Sequence, residues 1–150
     1  MSNDIIKQII PNLYIGSNID ILDDNFNSYN IKNIITINNI QENEEFNILN
    51  ININNTDLLI KSNKIINVDF NLSNNFIENS YINKQNILIT SNNIILSAIF
   101  AIAFISKKLK ISFYDSIKYV YNKIQININQ VPGHYINTLF SYIQESTLHN

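Results

Sequence analysis

The stretch from Asn86 to Ile105 does most to limit the folds open to this chain. It opens with Asn86 to Thr90 (NILIT), a short run of branched aliphatics with the pattern of a buried strand. Three polar residues follow, and then an almost unbroken apolar run from Ile94. That run is apolar nearly all round, so as a helix it belongs at the centre of a domain. At about 12 residues it is too short to cross a bilayer. A buried strand passing through a short loop into a buried helix is the core unit of an α/β layered domain. In such domains the loop amides and the helix N-terminus commonly cradle a phosphate.

The remaining segments fit that unit. Pro11 to Ser17 reads as a turn, a strand and a glycine stop, and Asp20 to Phe26 as a short helix. Lys32 to Ile37 and Ile48 to Ile53 are Ile-rich strands bounded by polar residues. Ser62 to Ser80 is predicted helical, with Ile65, Asp69, Leu72 and Phe76 on one face and Ile66 and Ile77 widening it. The central helix is expected over Ile94 to Lys110. Ser112 and Asp115 form a start signal for a helix running to Lys123. Pro132 opens the last helix, whose apolar face holds Leu139, Tyr142 and Ile143. No internal repeat or linker appears, and residues 1–150 read as a single domain. The expected class is α/β, a small central sheet of four to five strands flanked by helices.

Composition excludes several functions. The formal net charge is −2, without the basic excess that neutralises nucleic-acid phosphates. Lys107, Lys108 and Lys110 read as cations at a helix C-terminus. Cysteine is absent, so there is no disulfide, no thiolate metal site and no thiol nucleophile. All ten basic residues are lysine. His134 and His149 are far apart and lack clustered acids, so no metal or other cofactor is expected. Asp23, Asp24, Glu42, Glu44 and Glu45 read as solvated loops. Tyr114, Tyr119 and Tyr121 read as packing residues rather than a binding ladder. The 30 asparagines are scattered through every segment, as in the codon bias of an AT-rich genome. No signal peptide or membrane span is visible, and an intracellular, cytoplasmic location is expected (host cytoplasm or virion for a viral chain).

The stretch from Ile87 to Ile124 resembles the signature region of the dual-specificity protein phosphatases. Their pattern is an apolar strand, His-Cys, five variable residues, Arg-Ser/Thr, a small residue and an apolar helix. The resemblance extends over roughly Ile5 to Tyr142. Leu13 to Ser17 looks like the family's Leu-Tyr-Leu-Gly-Ser opening, Ile31 to Asn38 like its Gly-Ile-x-x-Ile-Leu-Asn strand, and Ile48 to Asn55 like the strand before its general-acid loop. The compact size is similar to that of the poxviral members, which are dimers.

The chemistry this resemblance implies needs three side chains. A Cys thiolate attacks phosphorus, an Arg grips the equatorial oxygens, and an Asp protonates the leaving oxygen. Their positions fall on residues that cannot do this. The nucleophile position falls on Thr90 or Ser91. Thr90 keeps the five-residue spacing to Leu96, and Ser91 fits the strand pattern better with a loop one residue shorter. The Arg position falls on Leu96, followed by Ser97 and Ala98 in place of Ser/Thr and the small residue. Asn92, Asn93, Ile94 and Ile95 lie between, without the family's glycine, so a positive backbone dihedral would fall to Asn93. The general-acid position falls near Asn55, with Asp57 reading as a solvated turn carboxylate.

The expected function is a catalytically inactive pseudophosphatase, a structural or protein-interaction module that does not bind phosphate. Its expected partners are proteins, a second copy of the chain included. The alternative is a module that shields phosphorylated partners from active phosphatases. Leu96 weighs against that, because burying a dianion without a cation is costly.

Overall fold

The structure, a computed structural model, describes residues 5–53 and 64–148. Five strands form one sheet: β1 (Ile5–Ile10), β2 (Leu13–Ser17), β3 (Ile31–Ile37), β4 (Asn47–Ile51) and β5 (Asn86–Ser91), in the spatial order β1-β2-β5-β3-β4. β1 runs antiparallel to β2, and the other pairings are parallel. Four α-helices follow β4: α1 (Lys64–Ile82), α2 (Ile94–Lys108), α3 (Phe113–Lys123) and α4 (Gly133–Leu148). A 3-10 helix, Asp24–Tyr29, links β2 to β3. This is the expected α/β class with a flanked central sheet.

The two-residue period of the strands sorts side chains between two cores. Leu13, Ile15, Ile35, Ile37, Ile87 and Ile89 face the α-helices in the larger core. Ile34 and Leu88 face the other way, beside Phe26 of the 3-10 helix in the smaller one. β5 is apolar on both faces because both are covered, as parallel strands usually are. Every residue of α2 from Leu96 to Ser106 is buried, and α1, α3 and α4 all pack on it. That is the central helix its composition predicts.

Several elements depart from expectation. β1 precedes Pro11, where the first expected element begins, and is not among the expected strands. The short helix lies over 24–29 rather than 20–26 and is 3-10 in form, with Asp23 as its N-cap. β4 stops at Ile51, and α2 ends at Lys108, with Leu109 as its C-cap and Lys110 in the left-handed region. On α1 the buried stripe is Ile66, Phe70, Ser73 and Ile77, one position on from the expected face, and Leu72 is exposed. Tertiary and local hydrogen bonds hold two of the polar groups beside that stripe, while the Ser73 hydroxyl is buried without a hydrogen bond among the described residues. Asn74 Nδ2 donates to the Tyr142 hydroxyl at 3.1 Å, and Ser80 Oγ donates to the Gln85 carbonyl at 2.9 Å. Ser112 caps α3, accepting from the Asp115 N–H as its spacing predicts.

Asparagine takes over work usually left to glycine. Among the described residues seven non-glycine positions have positive φ, and four of them are Asn12, Asn18, Asn30 and Asn38. Asn tolerates the left-handed region better than other residues with a Cβ. Neither glycine is needed there.

Among the described residues no helix is long and apolar enough to cross a membrane.

Candidate functional site

The strand-to-helix turn is where the resemblance would put the chemistry, and its side chains are tied to one another and to the backbone. β5 ends at Ser91, paired in register with Ser17 of β2, and the Ser91 carbonyl accepts from the Asn18 N–H at 2.9 Å. Only Asn92 and Asn93 separate Ser91 from the first residue of α2. Ile94, Ile95 and Leu96, which the resemblance places in a phosphate-binding loop, form the first turn of the helix instead. Asn93 is extended, with φ −145°, and caps the helix by accepting from the Ile95 N–H at 2.9 Å. The positive dihedral expected at Asn93 is therefore absent.

The two hydroxyl candidates point in opposite directions. Ser91 shares its side of β5 with Ile87 and Ile89, facing α2, whereas Thr90 shares the opposite face with Leu88. Both are buried. Ser91 Oγ lies 2.7 Å from Ser97 Oγ and 2.6 Å from the Asn93 carbonyl, and it accepts from the Asn93 N–H at 3.1 Å. Ser97 Oγ donates to the Gly16 carbonyl at 2.8 Å.

Each hydroxyl has one proton and two lone pairs. With the Ser97 proton on Gly16, the Ser91 proton goes to the Asn93 carbonyl or to Ser97. Its partners are backbone groups and a second hydroxyl, and none of them is a base at neutral pH. An unassisted, fully buried hydroxyl is a poor nucleophile. The arrangement ties the ends of β2 and β5 to the first turns of α2, which is a structural task.

Leu96 lies in the larger core with Ile99 and Phe100, only 5% exposed. Ile94 and Ile95 are half-buried and pack on the same core. Apolar side chains thus stand where the implied chemistry needs a guanidinium. The Ile95 amide is already taken by the Asn93 side chain, so a bound anion would have to compete with the helix's own cap. Replacing Asn93 by Ala is expected to cost about 1 kcal/mol through loss of this cap. A urea titration followed by circular dichroism checks it.

Asn55, Asp57 and His149 lie outside the described residues. His134 is in the first turn of α4 with its ring against Tyr135. Among the described residues no group of three or more His, Asp or Glu could hold a metal ion. Lys107 and Lys108 occupy the last turn of α2, and Lys108 pairs with Glu78 at 3.0 Å. Tyr119 donates to the Ile9 carbonyl at 3.0 Å and Tyr121 is buried, so these tyrosines anchor α3 rather than form a ladder. The Ser91–Ser97 contact is what sequence reasoning missed. A pair of serines six residues apart across a strand-to-helix turn is its only trace in the sequence.

The chain has the fold of the dual-specificity phosphatases. Its structure is similar to a leucine-rich-repeat and phosphatase-domain protein from Entamoeba histolytica, with a TM-score of 0.75, 20% identity and coverage of 97% of this chain and 94% of that one. It is also similar to the human tyrosine phosphatase-like serine/threonine/tyrosine-interacting protein, with a TM-score of 0.76, 23% identity and coverage of 97% and 98%. Human DUSP28 superposes with a TM-score of 0.78 at 12% identity, covering 95% of each chain. No protein-family model matches the sequence, and no curated protein matches it.

Proposed function

We propose that this chain is a pseudophosphatase, a phosphatase fold that has lost its chemistry and serves as a protein-interaction module. The observation that carries this reading is the buried Ser91–Ser97 hydroxyl pair, with Leu96 in the core beside it. Ser91 takes the place of the nucleophile, and Leu96 that of the phosphate clamp. The absence of cysteine and arginine from the whole chain agrees with it. One structural neighbour has a name that describes it as phosphatase-like and as an interacting protein. A shielding role toward phosphorylated partners fits less well, because no cation stands at Leu96 and the Ile95 amide is occupied.

The test is an aryl-phosphate assay of the wild-type chain and of Ser91→Cys. Neither is expected to turn over above buffer, since a restored thiol would still lack a clamp. Wild-type turnover that Ser91→Ala abolishes would sink the reading. Micromolar binding of a phosphotyrosine peptide, displaced by sulfate, would replace it with the shielding role.

A further inference from the structure

Exposed charge is divided between the two sides of the sheet. On the 3-10 side, Asp20, Asp23 and Asp24 precede or begin the 3-10 helix, and Glu42, Glu44 and Glu45 lie between β3 and β4. The ring of Phe26 lies 5.6 Å from that of Phe46, which holds these two acidic segments together. Among the acids stand two apolar side chains in open solvent, Leu22 at 77% exposure and Ile40 at 72%. Lys32 shares a cavity with Glu45 and offsets only one of the six acids.

The helical side carries the complement. Lys107, Lys108 and Lys110 surround the exposed Leu109 at the end of α2. Phe113 follows at the start of α3, its ring 5.7 Å from that of the exposed Tyr114 and 5.1 Å from that of Phe140 on α4. Lys108 is committed to Glu78, whereas Lys107 and Lys110 have no carboxylate partner among the described residues. Asp115 is the acid adjacent to this patch in sequence. Aromatic anchors ringed by charge are the composition of an interface centre.

The acidic segments border the smaller core and the lysines the larger one, on opposite faces of the sheet. One molecule cannot bring its own two patches together. Two copies can. We propose that copies of this chain associate head to tail, the Leu22/Ile40 acidic face of one docking on the Leu109/Tyr114/Phe140 lysine face of the next. The surfaces differ, so the contact is heterologous and open-ended unless its rotation closes a ring. This names the partner of the interaction module proposed above and rests on that reading.

Sedimentation equilibrium tests it. At about 0.05 M salt the average mass should rise with protein concentration past that of a dimer, and at about 0.5 M, where screening is strong, it should fall toward the monomer. Two double variants at exposed positions, Lys107→Glu/Lys110→Glu and Glu42→Lys/Glu44→Lys, should each be monomeric with unchanged circular dichroism. Mixed together, they should associate again, because the intact acidic face of the first meets the intact lysine face of the second and the substituted positions of the two faces are also opposite in charge. A wild-type monomer at low salt overturns the proposal. So does a salt-insensitive two-fold dimer, or association that survives both reversals. If the wild type is monomeric and also inactive on aryl phosphate, self-association fails while the pseudophosphatase reading stands. Aryl-phosphate turnover would defeat that reading whatever the mass.

Discussion

Phe100→Ala should destabilise the fold by about 3–5 kcal/mol, the range for emptying a fully buried aromatic site. Phe100 is 0% exposed, and its ring lies 4.9 Å from that of Phe70, which in turn lies 4.9 Å from that of Tyr142. These three rings join α2, α1 and α4. Helices that meet only through side chains cannot close over the void without moving the backbone, so little of the loss is recovered. For a chain of this size the change corresponds to roughly 6–20 °C in Tm. Urea unfolding should show a lower midpoint at an unchanged slope. A loss under about 1 kcal/mol would mean that the three-helix junction repacks freely, contrary to a core centred on α2.

Leu96→Arg is expected to destabilise rather than to restore phosphate binding. Truncating a buried leucine already costs about 2–5 kcal/mol, and a guanidinium placed there adds the cost of desolvating a charge or of displacing its neighbours. The position lies in the first turn of α2, close to the exposed Asn92 and Asn93, so some of the new side chain can reach water. The net expectation is a loss of about 3 kcal/mol, with no recovery on adding sulfate. Thermal unfolding with and without sulfate measures both quantities. Sulfate-dependent stabilisation of this variant would show that the turn amides still converge on an anion and that one substitution had silenced the site. The double variant Ser91→Cys/Leu96→Arg should likewise give no turnover, because Ile94 and Ile95 stay in the helix and the loop stays two residues long.

Much of the architecture was legible in local patterns. The strand–turn–helix unit, the Ser112 cap and the start of the last helix after Pro132 depend on neighbours a few residues away. The register of α1 was not legible. Its buried stripe contains Ser73, Asn74 and Ser80, which a count of apolar residues scores against burial. Tyr142 accepts from the Asn74 amide and Asn33 donates to Ser80 from distant parts of the chain, and Gln85, five residues on, accepts from Ser80. The asparagine excess is similar. Composition shows the bias, but only the backbone shows Asn12, Asn18, Asn30 and Asn38 holding left-handed turns.

The candidate site divides along the same line. Sequence alone determined that no thiolate and no guanidinium can be present, because a residue type absent from the chain is absent from every site in it. The resemblance to the phosphatase signature leaves Thr90 and Ser91 as the two positions for an implied nucleophile. Tertiary structure decided between their directions, because alternation along β5 and the cover on each face send Ser91 toward α2 and Thr90 away from it. It also placed Ser91 at the end of β5, while Asn93 caps the helix at the Ile94 start that the sequence predicts and packing against the core draws Leu96 inward.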